Sequence, residues 1–276
     1  MKPKIAAPLS TVNLALLLLG TAGPSSAQVE RFNQFVSEPP DPGTIIYNAP
    51  ELPPGFGAPS GRRDGGASRG RCGDYSGLAA LMPITEGVVW GQTTAAQPTL
   101  WFYLPAAVTA DTPLKLVVQD ADDDSLLHTI PLAVEAEAGS LAIALPPTVE
   151  LPVNQPHFWT LSLYCDPERP ASAVFVQGTI ERVTLGAAPF SPEAEYSLSQ
   201  AQSLAGQGIW YDALTVLGQR LQADATDVDI RRAWTDLLEQ VGLPQAGSAP
   251  VLSCCTAESP EAESPETEST RVESTK

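Results

Sequence analysis

Between residues 78 and 186, apolar side chains recur at every second position in short runs, the period of a strand buried on one face. Trp101-Phe102-Tyr103-Leu104 is one such run. Leu114-Lys115-Leu116-Val117-Val118 and Leu126-Leu127-His128-Thr129-Ile130 flank an acidic turn, which predicts a hairpin. Leu141, Ile143 and Leu145 alternate with Ala; Trp159, Leu161, Leu163 and Cys165 share one face of the next strand, and Val174, Val176 and Ile180 share a face of the last. Strands in this number, with turn signals between them, predict an antiparallel β-sandwich over 78–186.

After Pro189 the period changes to that of a helix. Ser191-Pro192-Glu193 reads as an N-cap, a proline at the first helical position and an early acid, opening a helix through about Ala205. Trp210, Ala213, Leu214, Leu217 and Leu221 line a face of a second helix. Ile230, Ala233, Trp234, Leu237, Leu238 and Val241 line a third, ended by Gly242 and Pro244. The expected architecture is therefore mainly β with α, a sandwich followed by a three-helix unit over 190–243.

The flanks carry neither period. Residues 28–77 hold Pro39-Pro40-Asp41-Pro42-Gly43 and Pro53-Pro54-Gly55-Phe56-Gly57, which sustain neither helix nor ladder, and read as a flexible segment ending in an Arg/Gly loop. Its one apolar island, Ile45-Ile46-Tyr47, is a candidate edge strand. Residues 244–276 are rich in Ser, Thr, Pro and Glu and read as a disordered acidic tail. At the other end, Lys2 and Lys4, the apolar run Leu14–Leu19 and the small residues Pro24-Ser25-Ser26-Ala27 predict a signal peptide over 1–27. The run is shorter than the roughly 20 residues a membrane-crossing helix needs. Export to the periplasm or beyond the cell is expected, with no transmembrane span.

Charge narrows the partners. With 32 acidic and 15 basic side chains the chain has a formal charge of −17, or −19 without Lys2 and Lys4, which disfavours nucleic acid and anionic lipid surfaces. Outside the cytosol Cys72 and Cys165 are the natural disulfide, with two unpaired thiols as the alternative. Cys254 and Cys255 stand adjacent in the tail and have no assigned role.

Several local patterns carry possible chemistry. The stretch Gly61 to Cys72 holds Arg62, Arg63, Arg69 and Arg71 against the single acid Asp64. Glycines that permit positive φ and arginines with forked donors suit an anion or a partner surface, so these four are the binding candidates. The competing reading, favoured on the overall acidity, docks them on the protein's own carboxylates. A Walker loop is excluded, because no Gly-Lys-Ser/Thr follows and no strand precedes. Gly66-Ala67-Ser68-Arg69-Gly70 has the G-x-S-x-G spacing but lacks the apolar strand of a nucleophile elbow, leaving Ser68, Asp120 and His157 a poor triad. Asp120, Asp122 and Asp124 alternate like the start of a calcium loop, without its central glycine or final glutamate, and a solvated acidic turn is the simpler reading. His128 and His157, with no C-x-x-C, do not make a zinc site. The tryptophans read as packing, with Trp90 and Tyr103 as the aromatic residues that could be exposed. No cofactor is expected.

Six blocks occur in order: the Gly61–Cys72 loop, Pro98-Thr99-Leu100-Trp101-Phe102-Tyr103-Leu104-Pro105, Val117-Val118-Gln119-Asp120, Leu161-Ser162-Leu163-Tyr164-Cys165-Asp166-Pro167, Gly178-Thr179-Ile180-Glu181-Arg182-Val183 and Gly208-Ile209-Trp210-Tyr211-Asp212-Ala213-Leu214. This series resembles the cyanobacterial family called "domain of unknown function 928", over about residues 55–243. The resemblance implies no activity; it favours pairing Cys72 with Cys165, since both lie in recurring blocks. Gly208, Trp210, Ala213 and Leu217 are also similar to part of a tetratricopeptide repeat, from which Arg220 and Ala225 depart. The expected function is an exported, non-catalytic binding or structural module of the cell envelope, whose partner is an envelope or secreted protein. The alternatives are a hydrolase of an envelope or extracellular polymer and a calcium-stabilised surface protein.

Overall fold

The computed structural model describes residues 43–53, 60–65, 70–121, 125–132, 134–166, 169–185 and 196–252. Among these residues nine strands form two sheets. The larger has the order β2 (Ile84–Thr85), β3 (Val88–Thr93), β9 (Val174–Arg182), β8 (Pro156–Leu163), β5 (Leu114–Asp120) and β6 (Leu126–Leu132). The smaller is β1 (Ala79–Ala80), β4 (Thr99–Leu104) and β7 (Gly139–Ala144). Pairing is antiparallel as expected, except that β3 runs parallel to β9, with Trp90 opposite Thr179. The 114–132 hairpin is present and carries a bulge between Val118 and Gln119.

Alternation decides which side chains fill the space between the sheets. Leu114, Leu116 and Val118 on β5, Trp159, Leu161 and Leu163 on β8, and Val174, Val176 and Ile180 on β9 are all buried. Phe102 of β4 meets Trp159 edge-on at 5.5 Å, joining the layers. Gly178 makes that possible, because a Cβ there would stand 2.5 Å from the Trp159 ring. Cys72, in a 3₁₀ turn at Gly70–Tyr75, is bonded to Cys165 just beyond β8, both buried, with Cα atoms 5.2 Å apart.

Four helices follow: α1 (Leu198–Gly206), α2 (Trp210–Ala223), α3 (Val228–Gln240) and the short α4 (Pro244–Ser248). Ser197 caps α1 and Asp227 caps α3; the predicted Ser191-Pro192-Glu193 cap lies outside the described residues. The helices share one core with the sandwich. Trp210 donates its indole N–H to Leu81 O at 2.8 Å. Trp101, on the β4 face turned away from Phe102, packs edge-on against Trp234 at 5.3 Å and lies against Gly218, where a Cβ would come within 2.3 Å of its ring. Among the described residues no helix is long and apolar enough to cross a membrane.

Two segments outside the predicted elements are tied down. Ile45-Ile46-Tyr47 pairs with no strand; it runs along the helices, with Tyr47 edge-on to Trp210 at 4.8 Å. Gln240 accepts from Tyr47 N at 3.1 Å and donates to Ile45 O at 3.0 Å, while Asn48 donates to Ala205 O and Gly206 O at the end of α1. At the other end Pro250–Leu252 lies beside β7, with Ser140 N donating to Pro250 O at 2.8 Å and Leu252 N to Ser140 O at 2.9 Å.

Candidate functional site

The arginine segment is stitched into both sheets. Arg62 and Gln177 exchange backbone hydrogen bonds of 2.7 Å each, Ala80 N donates to Arg63 O at 2.8 Å, and Gly65 N donates to Leu78 O at 2.7 Å. Residues 60–65 therefore bridge β9 and β1. Gly61, at φ +84°, has no room for a Cβ, which would lie 2.9 Å from Val89. Neighbouring residues of an extended segment point to opposite sides, and the two described arginine side chains divide accordingly. Arg63 turns in and donates to Val241 O at 2.7 Å, placing its charge on the carbonyl end of α3. Arg62 turns out and lies over the Phe175 ring at 4.8 Å. Arg69 and the predicted Ser68 lie outside the described residues, as does the side chain of Arg71.

At one rim of the sandwich Asp120 stands opposite His157 in the β5–β8 register. The two side chains are engaged separately. The Asp120 carboxylate accepts from Gln155 Nε2, and His157 Nδ1 is 2.9 Å from Gln155 O, so that nitrogen carries the proton. His157 is fully buried and Trp90 likewise, so the expectation that Trp90 could be exposed does not hold; Tyr103 is half-buried. Asp122 and Asp124 lie outside the described residues. Among those described, no three His, Cys, Asp or Glu side chains are grouped to hold a metal ion.

Asp212, which composition and spacing did not single out, is buried where α2 meets β3. Thr93 Oγ1 donates to its Oδ1 at 2.5 Å, and Thr94 donates to Oδ2 through its N–H at 2.9 Å and its hydroxyl at 2.5 Å. Burial pushes the carboxyl above the usual carboxylate range, against the pull of those three donors. As the third residue of α2 it also faces the positive end of the helix. One residue earlier, Tyr211 OH accepts from Trp159 Nε1 at 2.8 Å and donates to Thr179 O at 3.3 Å. An acid in a first helical turn following Trp-Tyr was the available signal; its burial depends on Thr93 and Thr94, more than a hundred residues away.

The helical unit offers a cleft of about 400 Å³ between the starts of α1 and α3, lined by Tyr196, Ser197, Leu198, Arg220, Asp227, Asp229 and Ile230. Arg220 is paired there with Asp227 at 3.3 Å. Of the large exposed hydrophobic side chains described, Val228 alone stands on a helix, whereas Leu126 and Leu127 stand together on the edge strand β6.

No curated protein matches the chain. A family model, Domain of Unknown Function (DUF928), matches residues 64–251. That span starts just after Arg62 and Arg63 and ends beside β7, taking in both sheets, both bonded cysteines and all four helices. The fold described here is thus the fold of the matched region, and the chain belongs to the Domain of Unknown Function (DUF928) family.

Proposed function

We propose that this protein is an exported, non-catalytic binding or structural module of a cyanobacterial cell envelope. What carries the reading is where the chemically able groups are engaged. Asp212 is held by Thr93 and Thr94 and Arg63 by the end of α3, each fixing one element against another, while His157 is engaged locally by Gln155 at the start of β8. The buried Cys72–Cys165 bond supports an oxidising compartment. The partner is an envelope or secreted molecule met by the outward surface of the sandwich, with Arg62 part of that surface.

The test is fractionation of cells with thiols trapped at lysis, followed by hydrolysis assays of the purified protein on envelope polymers. The protein is expected outside the cytosol with Cys72 and Cys165 oxidised, and without turnover. Recovery from the cytosol with both thiols reduced would overturn the export, and polymer cleavage that persists on purification would overturn the non-catalytic role.

A further inference from the structure

We infer that the outer face of the six-stranded sheet, turned away from the small sheet, binds an anionic polysaccharide. The inference rests on the module reading above and names the ligand class for one surface.

The starting observation is charge. In a chain with 32 acidic residues, no carboxylate stands at the outward positions of β6, β5 or β8, and on β9 none precedes Glu181. The outward residues of β5 and β8 are half-buried, while their inward neighbours from Leu114 to Val118 and from His157 to Leu163 are buried. Among the described residues two cations lie on this face, and both rest on aromatic rings. The Arg62 guanidinium is 4.8 Å from the centre of Phe175, and Lys115 Nζ is 5.3 Å from the centre of Tyr164. Elsewhere among the described residues Arg63, Arg169, Arg182, Arg220 and Arg232 each stand 3.1–3.9 Å from a carboxylate, and Arg231 donates to Ala249 O at 3.4 Å. The outer face is thus a place where this acidic protein can receive an anion without a carboxylate to repel it.

Register arranges the rest. Lys115, Ser162 and Phe175 form one row across β5, β8 and β9; Val117, Thr160, Gln177 and Arg62 form the next. Strands about 4.8 Å apart set rings, hydroxyls and amides side by side from β5 to the start of β9, beyond which the outward residues Thr179 and Trp90 are fully buried. Phe158 adds a third ring further along β8.

This chemistry selects among occupants. A second copy would set Arg62 and Lys115 against the same cations with no carboxylate to meet them. An extended peptide recognises a sheet through main-chain groups at an edge, and on a face those groups are already in ladders. A polysaccharide bearing carboxylates or sulfates uses what the face offers: rings for the C–H faces of its sugars, hydroxyls and amides for its hydroxyls, and two cations for its charges.

The test titrates the purified full chain with polygalacturonate, dextran and poly-glutamate. Polygalacturonate is expected to bind, more weakly as salt rises, and dextran not to bind. The double variant Arg62→Glu/Lys115→Glu should lose at least about tenfold in affinity, whereas Arg232→Glu, off this face, should not. Arg62→Gln/Lys115→Gln gives the same reading should the charge reversal fail to fold. No binding of polygalacturonate, or binding unchanged in the double variant, overturns the inference. Equal binding of poly-glutamate, lost in the same variant, overturns it in favour of an acidic polypeptide. Because fractionation and thiol trapping are read separately, either failure leaves the module reading standing on its own test.

Discussion

The two faces of the six-stranded sheet are made by the same strands and have opposite fates. On the inner face, polar atoms are locked by the chain itself: Trp159 donates to Tyr211, Tyr211 to Thr179, and Thr93 and Thr94 to Asp212. On the outer face, Arg62 and Lys115 have aromatic rings as their partners. Buried hydrogen-bonding groups are costly to leave unmatched, so the inner set is fixed by folding, whereas a solvated face is under no such constraint. Substitutions should therefore divide by face, with stability changing on one and binding on the other.

The largest effect expected is on the staple of the inner layer. Cys72→Ser or Cys165→Ser opens a bridge spanning a sequence separation of 93 and should cost about 2–5 kcal/mol, read as a fall in denaturant midpoint that reductant reproduces in the wild type. Next is Gly218→Ala. Alanine normally stabilises a helix interior by up to about 1 kcal/mol over glycine. Here its methyl would stand 2.3 Å from Trp101, which is pinned by a 3.2 Å hydrogen bond to Thr215 and by Trp234, so we expect a loss of about 1–3 kcal/mol. A stabilised variant would show that helices and sandwich are less tightly joined than the inner face implies.

How far these faces are legible in the sequence depends on the range of the interactions that make them. Strands β5, β8 and β9 announce themselves because one face is buried and alternation survives, and β4 because its apolar run Trp101–Leu104 is continuous. Val88-Val89-Trp90-Gly91-Gln92-Thr93 does not, because five of its six residues are buried and little alternation remains. Nor does local composition show that it runs parallel to β9, some ninety residues away. Ile45 and Tyr47 sit among prolines, and their order comes from Gln240 and Trp210. Arg62 and Arg63 look like one cluster along the chain; extension sends one to the sheet face and the other to a helix end. The scarcity of carboxylates on the outer face is written in the sequence, but only at alternate positions, and emerges once register shows which positions stand together.

A smaller inner-face effect should appear as a pH dependence. Burial raises the Asp212 carboxyl in the folded protein above its value in the unfolded chain, so the folded state holds the proton more tightly. Its contribution is then full below the ordinary carboxylate range of about pH 4 and is lost as pH climbs through the raised value. Asp212→Asn cannot ionise, and its stability should fall less over that interval than the wild type's. Parallel curves from denaturant melts across the acidic range would mean that the donors from Thr93 and Thr94 balance burial, and a wild type that gains on the variant as pH rises would mean that they outweigh it.

The smallest change in stability is expected on the outer face. Arg62→Ala/Lys115→Ala removes two partly solvated cation–π contacts, each worth about 0.5–1 kcal/mol, while leaving the Arg62 backbone pair with Gln177 in place. Long side chains held on a ring also regain rotamer freedom when the contact is lost, which offsets part of that amount. The melting temperature should accordingly stay near the wild type's and well above that of Gly218→Ala. If the pair instead destabilises the fold as much as the glycine variant does, the outer face belongs to the protein's own packing, and the division between the two faces fails.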